Sequence, residues 1–220
     1  MSIRFEIRVI HSMDKKINEE IQKYIEGEIL PIYSCYEKAH NIEHIKNVIN
    51  RSLNIAKDYN VDINMVYVIA AFHDIGHKFD RKNHSIISGK ILFDTVMLKK
   101  WFDNKQIKIM KEAVEDHSAH LSRKPRSIYG EIVSDADRSI DIDSSLRRAY
   151  QYDIKYFPER SLNEHIDSCY EHMKSKYGKN GYLKLWLKTR ENIKAYNEHR
   201  MLADNKEMYV KRFKKVNNIE

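Results

Sequence analysis

Four side chains, His44, His73, Asp74 and Asp137, have the types and the order of a metal centre. His73 and Asp74 stand together in Ala70-Ala71-Phe72-His73-Asp74-Ile75-Gly76-His77, near the end of the apolar run from Met65 to Phe72. A buried helix has little reason to close on an adjacent imidazole and carboxylate, because a buried charge costs several kcal/mol unless it is paired or coordinated. Two imidazoles and two carboxylates supply four N/O ligands to one divalent cation and leave positions for water and substrate. That set suits hydrolysis, unlike the thiolate sets of structural zinc sites. The cysteines, Cys35 and Cys169, lie in no CxxC pair.

The elements that must hold these residues read as helices. Ile17, Ile21, Tyr24 and Ile25 recur at helical spacing over 14–29, and Leu30-Pro31 breaks the pattern. Ile42, Ile45, Val48, Ile49, Leu53 and Ala56 form an amphipathic stripe over 41–58, with His44 on it. Asp62 is placed to cap a helix over 63–74, and Gly76 to end it. Further helices are predicted near 83–99, 104–118, 128–140, 143–156, 161–176, 181–202 and 204–215, with a short strand over 3–9. Tyr150, Tyr152, Tyr156, Phe157, Trp186, Tyr196 and Tyr209 recur at helical intervals and read as core. Gly178-Lys179-Asn180-Gly181 reads as a loop, not a domain linker. The expectation is one all-α domain over 1–220, with a metal-binding core over about 30–145 and C-terminal helices over about 145–220.

Composition narrows the function classes. The chain has 220 residues, 42% of them hydrophobic, which is ample for a core. No stretch approaches ~20 apolar residues, so no membrane partner is expected. The N-terminus alternates apolar and charged residues without a secretory apolar segment, and two cysteines form no disulfide framework. A cytoplasmic protein is the expectation. The net charge of +7 favours an anionic partner. Its lysines are scattered, as at Lys99-Lys100 and Lys105, Lys108 and Lys111, so they read as solvated helix faces and nucleic acid is disfavoured as a partner. There is no GxxxxGK[ST] loop, no GxGxxG, no HExxH and no nucleophile elbow.

The motifs Ala39-His40-Asn41-Ile42-Glu43-His44-Ile45-Lys46-Asn47-Val48, Ala70 to Gly76, and Asp135-Ala136-Asp137-Arg138, with His84, Gly89 and His117, occur in this order. The arrangement resembles the HD-domain superfamily of metal-dependent phosphohydrolases, of the small bacterial type, over roughly residues 30–145. The resemblance implies an HD-domain helical bundle with additional C-terminal helices. It implies metal ligands at His44 rather than His40, at His73 and Asp74, and at Asp137 rather than Asp135, which becomes a cap or supporting partner. His84 and His117 would serve a second metal or the substrate. The implied metal is one of Mn, Fe, Co, Ni, Mg or Zn. Asp74 or His77 would move protons, the latter because imidazole titrates near neutrality. His40, Lys78, Arg123, Lys124 and Arg138 would contact phosphate. Arg138 reads equally as the partner of a core carboxylate, and the 120–126 loop equally as plain solvated loop. The implied substrate is a small phosphorylated molecule, foremost a nucleotide, cleaved at a phosphomonoester or pyrophosphate bond. No HD-GYP signature is present. The competing readings are a non-catalytic metal- or nucleotide-binding regulatory module and an RNA phosphodiesterase.

Overall fold

The computed structural model describes residues 16–36, 41–138 and 141–219. The strand expected over 3–9 and residue His40 lie outside the described residues. Within them every regular element is helical. In chain order these are α1 (Glu19–Tyr24), α2 (Ile42–Ala56), α3 (Ile63–Phe72), α4 (His84–Asp94), α5 (Asn104–Glu115), α6 (Ile128–Ala136), α7 (Ile142–Tyr156), α8 (Leu162–Tyr177), α9 (Arg190–Ala203) and α10 (Lys206–Asn217).

The helix expected over 14–29 is shorter. Its α-helical part stops at Tyr24, passes through a π-turn over Ile25–Ile29, and tightens to a 3₁₀ segment over Leu30–Cys35. Pro31, at the start of that segment, has no N–H to continue the ladder.

The apolar helix α3 is the axis of the larger core. All its residues except Asn64 are buried, so it shows no polar face. Asp62 caps it, accepting from the amides of Asn64 (2.8 Å) and Met65 (3.4 Å). Helices α2, α5 and α6 pack against α3, and α4 lies against α5. Helices α7 to α10 form a second, smaller core around Leu146, Ile166, Met173, Leu202, Tyr209 and Phe213. The segment between α8 and α9, expected to be helical from 181, is irregular until Arg190. Its Leu183 enters the smaller core and its Leu187 packs on the larger one.

Two features place α3 and α4 for the site. Tyr33 and Tyr36 donate their hydroxyls to the carbonyls of Ala71 (2.8 Å) and Ile75 (2.7 Å), groups a helix end leaves without partners. Gly76 does not end α3, which stops at Phe72, and no glycine has a positive φ. Its role is close approach. A Cβ at 76 would meet the His84 carbonyl oxygen at 2.5 Å and the Ser88 amide at 2.7 Å. The Gly76 amide donates to Ser88 Oγ (2.8 Å) across the same contact.

Gly76→Ala is expected to lower stability by about 2 kcal/mol, because backbone rather than a flexible side chain must give way. An unchanged midpoint of urea unfolding would contradict the close-packing role. In the smaller core, Asp153 accepts from Arg160 (2.7 Å), Ser168 (2.8 Å) and His165 Nδ1 (2.6 Å), tying α7 to α8. Burial raises the Asp153 carboxyl, but the bonds from His165 and Ser168 outweigh it and hold the group below its ordinary value. The stability it contributes is therefore present above the ordinary carboxylate range and lost as pH falls through the depressed value. Asp153→Asn should cost about 2 kcal/mol at pH 7, and the gap to wild type should close as pH drops below about 4. Thermal unfolding across pH reads both effects.

Candidate metal centre

Five elements deliver the candidate ligands. His44 sits in the first turn of α2, its amide bonded to the capping side chain of Asn41 (3.1 Å). His73 caps the C-terminus of α3, and Asp74 turns off the helix at φ −111°, ψ 7°. That turn lets adjacent residues face one point, although on a continuing helix they would diverge by about 100°. Asp137 ends α6. His84 opens α4, and His117 follows α5.

These side chains converge on the Asp74 carboxylate. Oδ2 lies 3.6 Å from His44 Nε2 and 3.4 Å from His73 Nε2. Oδ1 lies 3.5 Å from His84 Nε2 and 3.4 Å from His117 Nε2. Asp137 Oδ1 is 3.3 Å from His44 Nε2 and 3.8 Å from His73 Nε2. Donor atoms bound at about 2.1 Å around one ion lie roughly 3–4 Å apart, so these spacings are those of a ligand shell. Two groups result, His44–His73–Asp74 and Asp74–His84–His117, with Asp74 common to both.

Tautomers favour the same use. The Nδ1–H groups of His73, His84 and His117 donate to the carbonyls of Ala70 (2.8 Å), Arg81 (2.9 Å) and Val114 (2.6 Å). Each ring is thereby held with Nε2 as its lone-pair atom, the usual arrangement of a metal-binding histidine. His73 Nε2 is buried without a hydrogen-bond partner. His84 and His117 bring their Nε2 atoms to 3.2 Å of each other, an arrangement of two lone pairs that a cation would relieve. The donor set fits one or two divalent ions.

The electrostatics follow from the geometry. Burial works against a charged imidazole at His44, but Asp137 and Asp74 overcome it and push the group up to about 9. Burial raises Asp137, yet His44 holds it below the ordinary carboxylate range. Burial likewise opposes the charge on His117, and Asp74 raises it. Ligands must shed these protons before an ion binds. The side chains of His73, Asp74 and His117 are 0%, 3% and 2% exposed, those of His44, His84 and Asp137 17%, 20% and 22%, so the last three form the side that faces solvent.

The remaining candidates divide. The His77 ring lies beside His84, with centroids 5.5 Å apart. Arg138 is buried behind Asp137, where its Nη2 donates to Ser134 Oγ (2.7 Å). Lys78 is exposed, with Nζ 3.8 Å from Cys35 Sγ. Arg123 is engaged with Asp116 (2.6 Å) and Lys124 with Glu131 (3.0 Å), so neither points its charge at an unsatisfied site. Arg126 reinforces Asp116 (2.8 Å). Burial raises Asp116, and Arg126 and Arg123 bring it below its ordinary value.

Several supporting residues escape the motifs. Arg51, on α2, donates to the carbonyls of Ala136, Arg138 and Asp135 and to Asn192 Oδ1 (2.6 Å), so it closes the end of α6 on which Asp137 sits. Asn192, on α9, adds a bond to the Asp135 carbonyl (3.0 Å). The Asp135 side chain accepts from the amides of Trp186 (3.0 Å) and Leu187 (2.9 Å), and burial raises its pKa. The spacing of Arg51 on the polar flank of α2 is the only local signal for it.

Arg51→Met is expected to lower metal affinity about 10- to 100-fold by loosening Asp137, without removing a ligand. Arg51→Lys should not rescue it, since one ammonium cannot replace a guanidinium serving four acceptors. Calorimetric metal titration, on variants whose circular dichroism shows them folded, checks this. Wild-type affinity in Arg51→Met would overturn the positioning role.

Residues 41–140 match the family model for the HD domain. A solved structure from an uncultured Thermotogales bacterium, described as a predicted HD superfamily hydrolase, is similar at 20% identity and a TM-score of 0.44, covering 69% of this chain and 82% of that one. A search of curated proteins finds no match. The matched segment, a little under half of the chain, carries His44, the His73-Asp74 pair and Asp137, and in it the chain is similar to the HD domain.

Proposed function

We propose that this chain is a metal-dependent phosphohydrolase acting on a small phosphorylated molecule, foremost a nucleotide, at a phosphomonoester or pyrophosphate bond. The observation that carries the reading is the pair of three-ligand groups sharing Asp74. A divalent cation held there lowers the pKa of water and polarises a phosphoryl oxygen. His44, His73, Asp74 and Asp137 would hold the first ion, and Asp74, His84 and His117 a second. The metal is one of Mn, Fe, Co, Ni, Mg or Zn, all of which accept imidazole and carboxylate.

The chain's own residues divide the remaining work. Both oxygens of Asp74 face imidazoles, so its task is to orient ligands rather than carry protons. His77, beside His84, is the candidate to pass a proton to the leaving oxygen. Arg138, next to Asp137, supplies fixed positive charge against the phosphoryl group. Lys78 stands on the exposed side, where a mobile cation meets an entering anion.

A small substrate is favoured over RNA because the basic loop is spent on internal ion pairs at Asp116, Glu115 and Glu131. No described helix is long and apolar enough to cross a membrane. Cys35 and Cys169 are both free thiols, which suits the cytoplasm. We read the chain as one domain because Arg51 and Asp135 join the two cores.

Hydrolysis should release phosphate or pyrophosphate from members of a nucleotide panel with Mn²⁺, Co²⁺ or Mg²⁺, and should stop with chelator. Asp74→Ala is expected to lose bound metal and to fall to the chelated level, while circular dichroism stays native, alanine being a good helix former. Activity that survives exhaustive chelation defeats the mechanism. A panel silent with every metal favours the non-catalytic binding module.

A further inference from the structure

A cavity of about 360 Å³ adjoins the second group of candidate ligands. Ser85 and Ser118, which line it, are the chain neighbours of His84 and His117. Its wall therefore begins within roughly 10 Å of the two Nε2 atoms that meet at 3.2 Å. Ile86 and Leu121 give it apolar surface, and Ile86 is left 61% exposed. His120 adds an aromatic ring, held by stacking on Tyr182 with centroids 4.5 Å apart and planes 25° from parallel. The charges in the wall are spent on one another. Asp116 takes Arg123 at 2.6 Å and Arg126 at 2.8 Å, and Glu115 takes Arg126 at 2.7 Å. Two hydroxyls remain for a ligand. Ser85 Oγ makes no hydrogen bond among the described residues, and Ser118 Oγ accepts from the His120 amide (3.3 Å) but donates to no described residue.

We propose that this cavity receives the heterocyclic base of a mononucleotide whose phosphate lies at the Asp74 ligand cluster. The proposal rests on the phosphohydrolase reading and narrows it. The wall selects the ligand class. A phosphoryl group would meet two carboxylates whose cations are already engaged, and its desolvation would go uncompensated. An aliphatic chain would bury the two serine hydroxyls without partners. A flat, uncharged ring with polar edges meets both needs, since its faces cover Ile86, Leu121 and the His120 ring while its edges bond to the hydroxyls. Size limits it further. Sites for small organic ligands span about 300–1,000 Å³, and this one stands near the lower bound, so it holds one base with part of its sugar rather than a dinucleotide. The separation from His84 and His117 is about that between the base and the phosphate of one nucleotide.

The test uses the uncharged nucleosides adenosine, guanosine, cytidine and uridine as probes, with ribose as the base-free control. Each is titrated calorimetrically into the full chain after chelation of metal, so that binding is read without turnover. At least one nucleoside should bind about tenfold or more tightly than ribose, the base burying its faces. Ile86→Trp should weaken that nucleoside about tenfold by filling the cavity. Met201→Trp, at an exposed methionine of α9, should leave it unchanged. Leu121→Trp, in the loop, carries the test where Ile86→Trp fails to show native circular dichroism. Four nucleosides bound no better than ribose overturn the base site. So does undiminished binding in the cavity variants, or an equal loss in Met201→Trp. Turnover is read separately with Mn²⁺. Nucleoside binding that the cavity variants abolish, without hydrolysis of any phosphorylated compound, supports the base site and defeats the hydrolase reading. Metal-dependent phosphate release with no nucleoside bound does the reverse.

Discussion

The ends of α2 to α5 that build the site are arranged around one buried carboxylate. Asp74 is 2% exposed, and four imidazoles from four parts of the chain stand within 3.6 Å of its two oxygens. A carboxylate so placed must be compensated, and imidazoles compensate it in two ways. Without a metal they take up protons, as the elevated His44 does. With one, their Nε2 atoms and the carboxylate would serve as ligands together. The neighbouring structure enforces this pairing: backbone carbonyls fix the rings, and two tyrosine hydroxyls secure the turn on which Asp74 sits.

Much of the larger core was legible in local sequence. The stripe on α2, the apolar run of α3 and the Asp62 cap are consequences of short-range periodicity and side-chain chemistry, and the helices form where those signals stand. Departures occur where distant groups decide. The amides of Trp186 and Leu187 bond to Asp135, about fifty residues earlier, and Lys188 has φ 50°, so a stretch with helical spacing stays irregular. Gly76 carries the residue type of a helix terminator, yet its purpose is contact with α4, which only the packed structure reveals.

The candidate site divides in the same manner. The motifs name the residue types in order, but nothing local says that His84 and His117, 33 residues apart, meet at 3.2 Å. That meeting depends on α4 lying against α5, where a Cβ at Gly89 would come within 2.7 Å of Glu115 Cγ. The basic loop shows the opposite case. Arg123, Lys124 and Arg126 look available in sequence, whereas in space Asp116, just after α5, with Glu115 of α5 and Glu131 of α6, occupies them. Charge counted along a chain does not distinguish a cation that serves a ligand from one that serves the fold.

The clasp of Arg51, Asp135 and Asn192 bears on how such a protein can be divided. The end of α6 is held from α2 on one side, and from α9 and the segment before it on the other. The family match stops at residue 140, yet two of the anchors that orient Asp137's helix lie beyond 180. A fragment cut at the boundary of the match would retain every candidate ligand. It would also expose the Asp135 carboxylate and strip Arg51 of its Asn192 partner. The border of the matched segment and the reach of the bonds that hold Asp137's helix therefore do not coincide, since Trp186, Leu187 and Asn192 all lie past it.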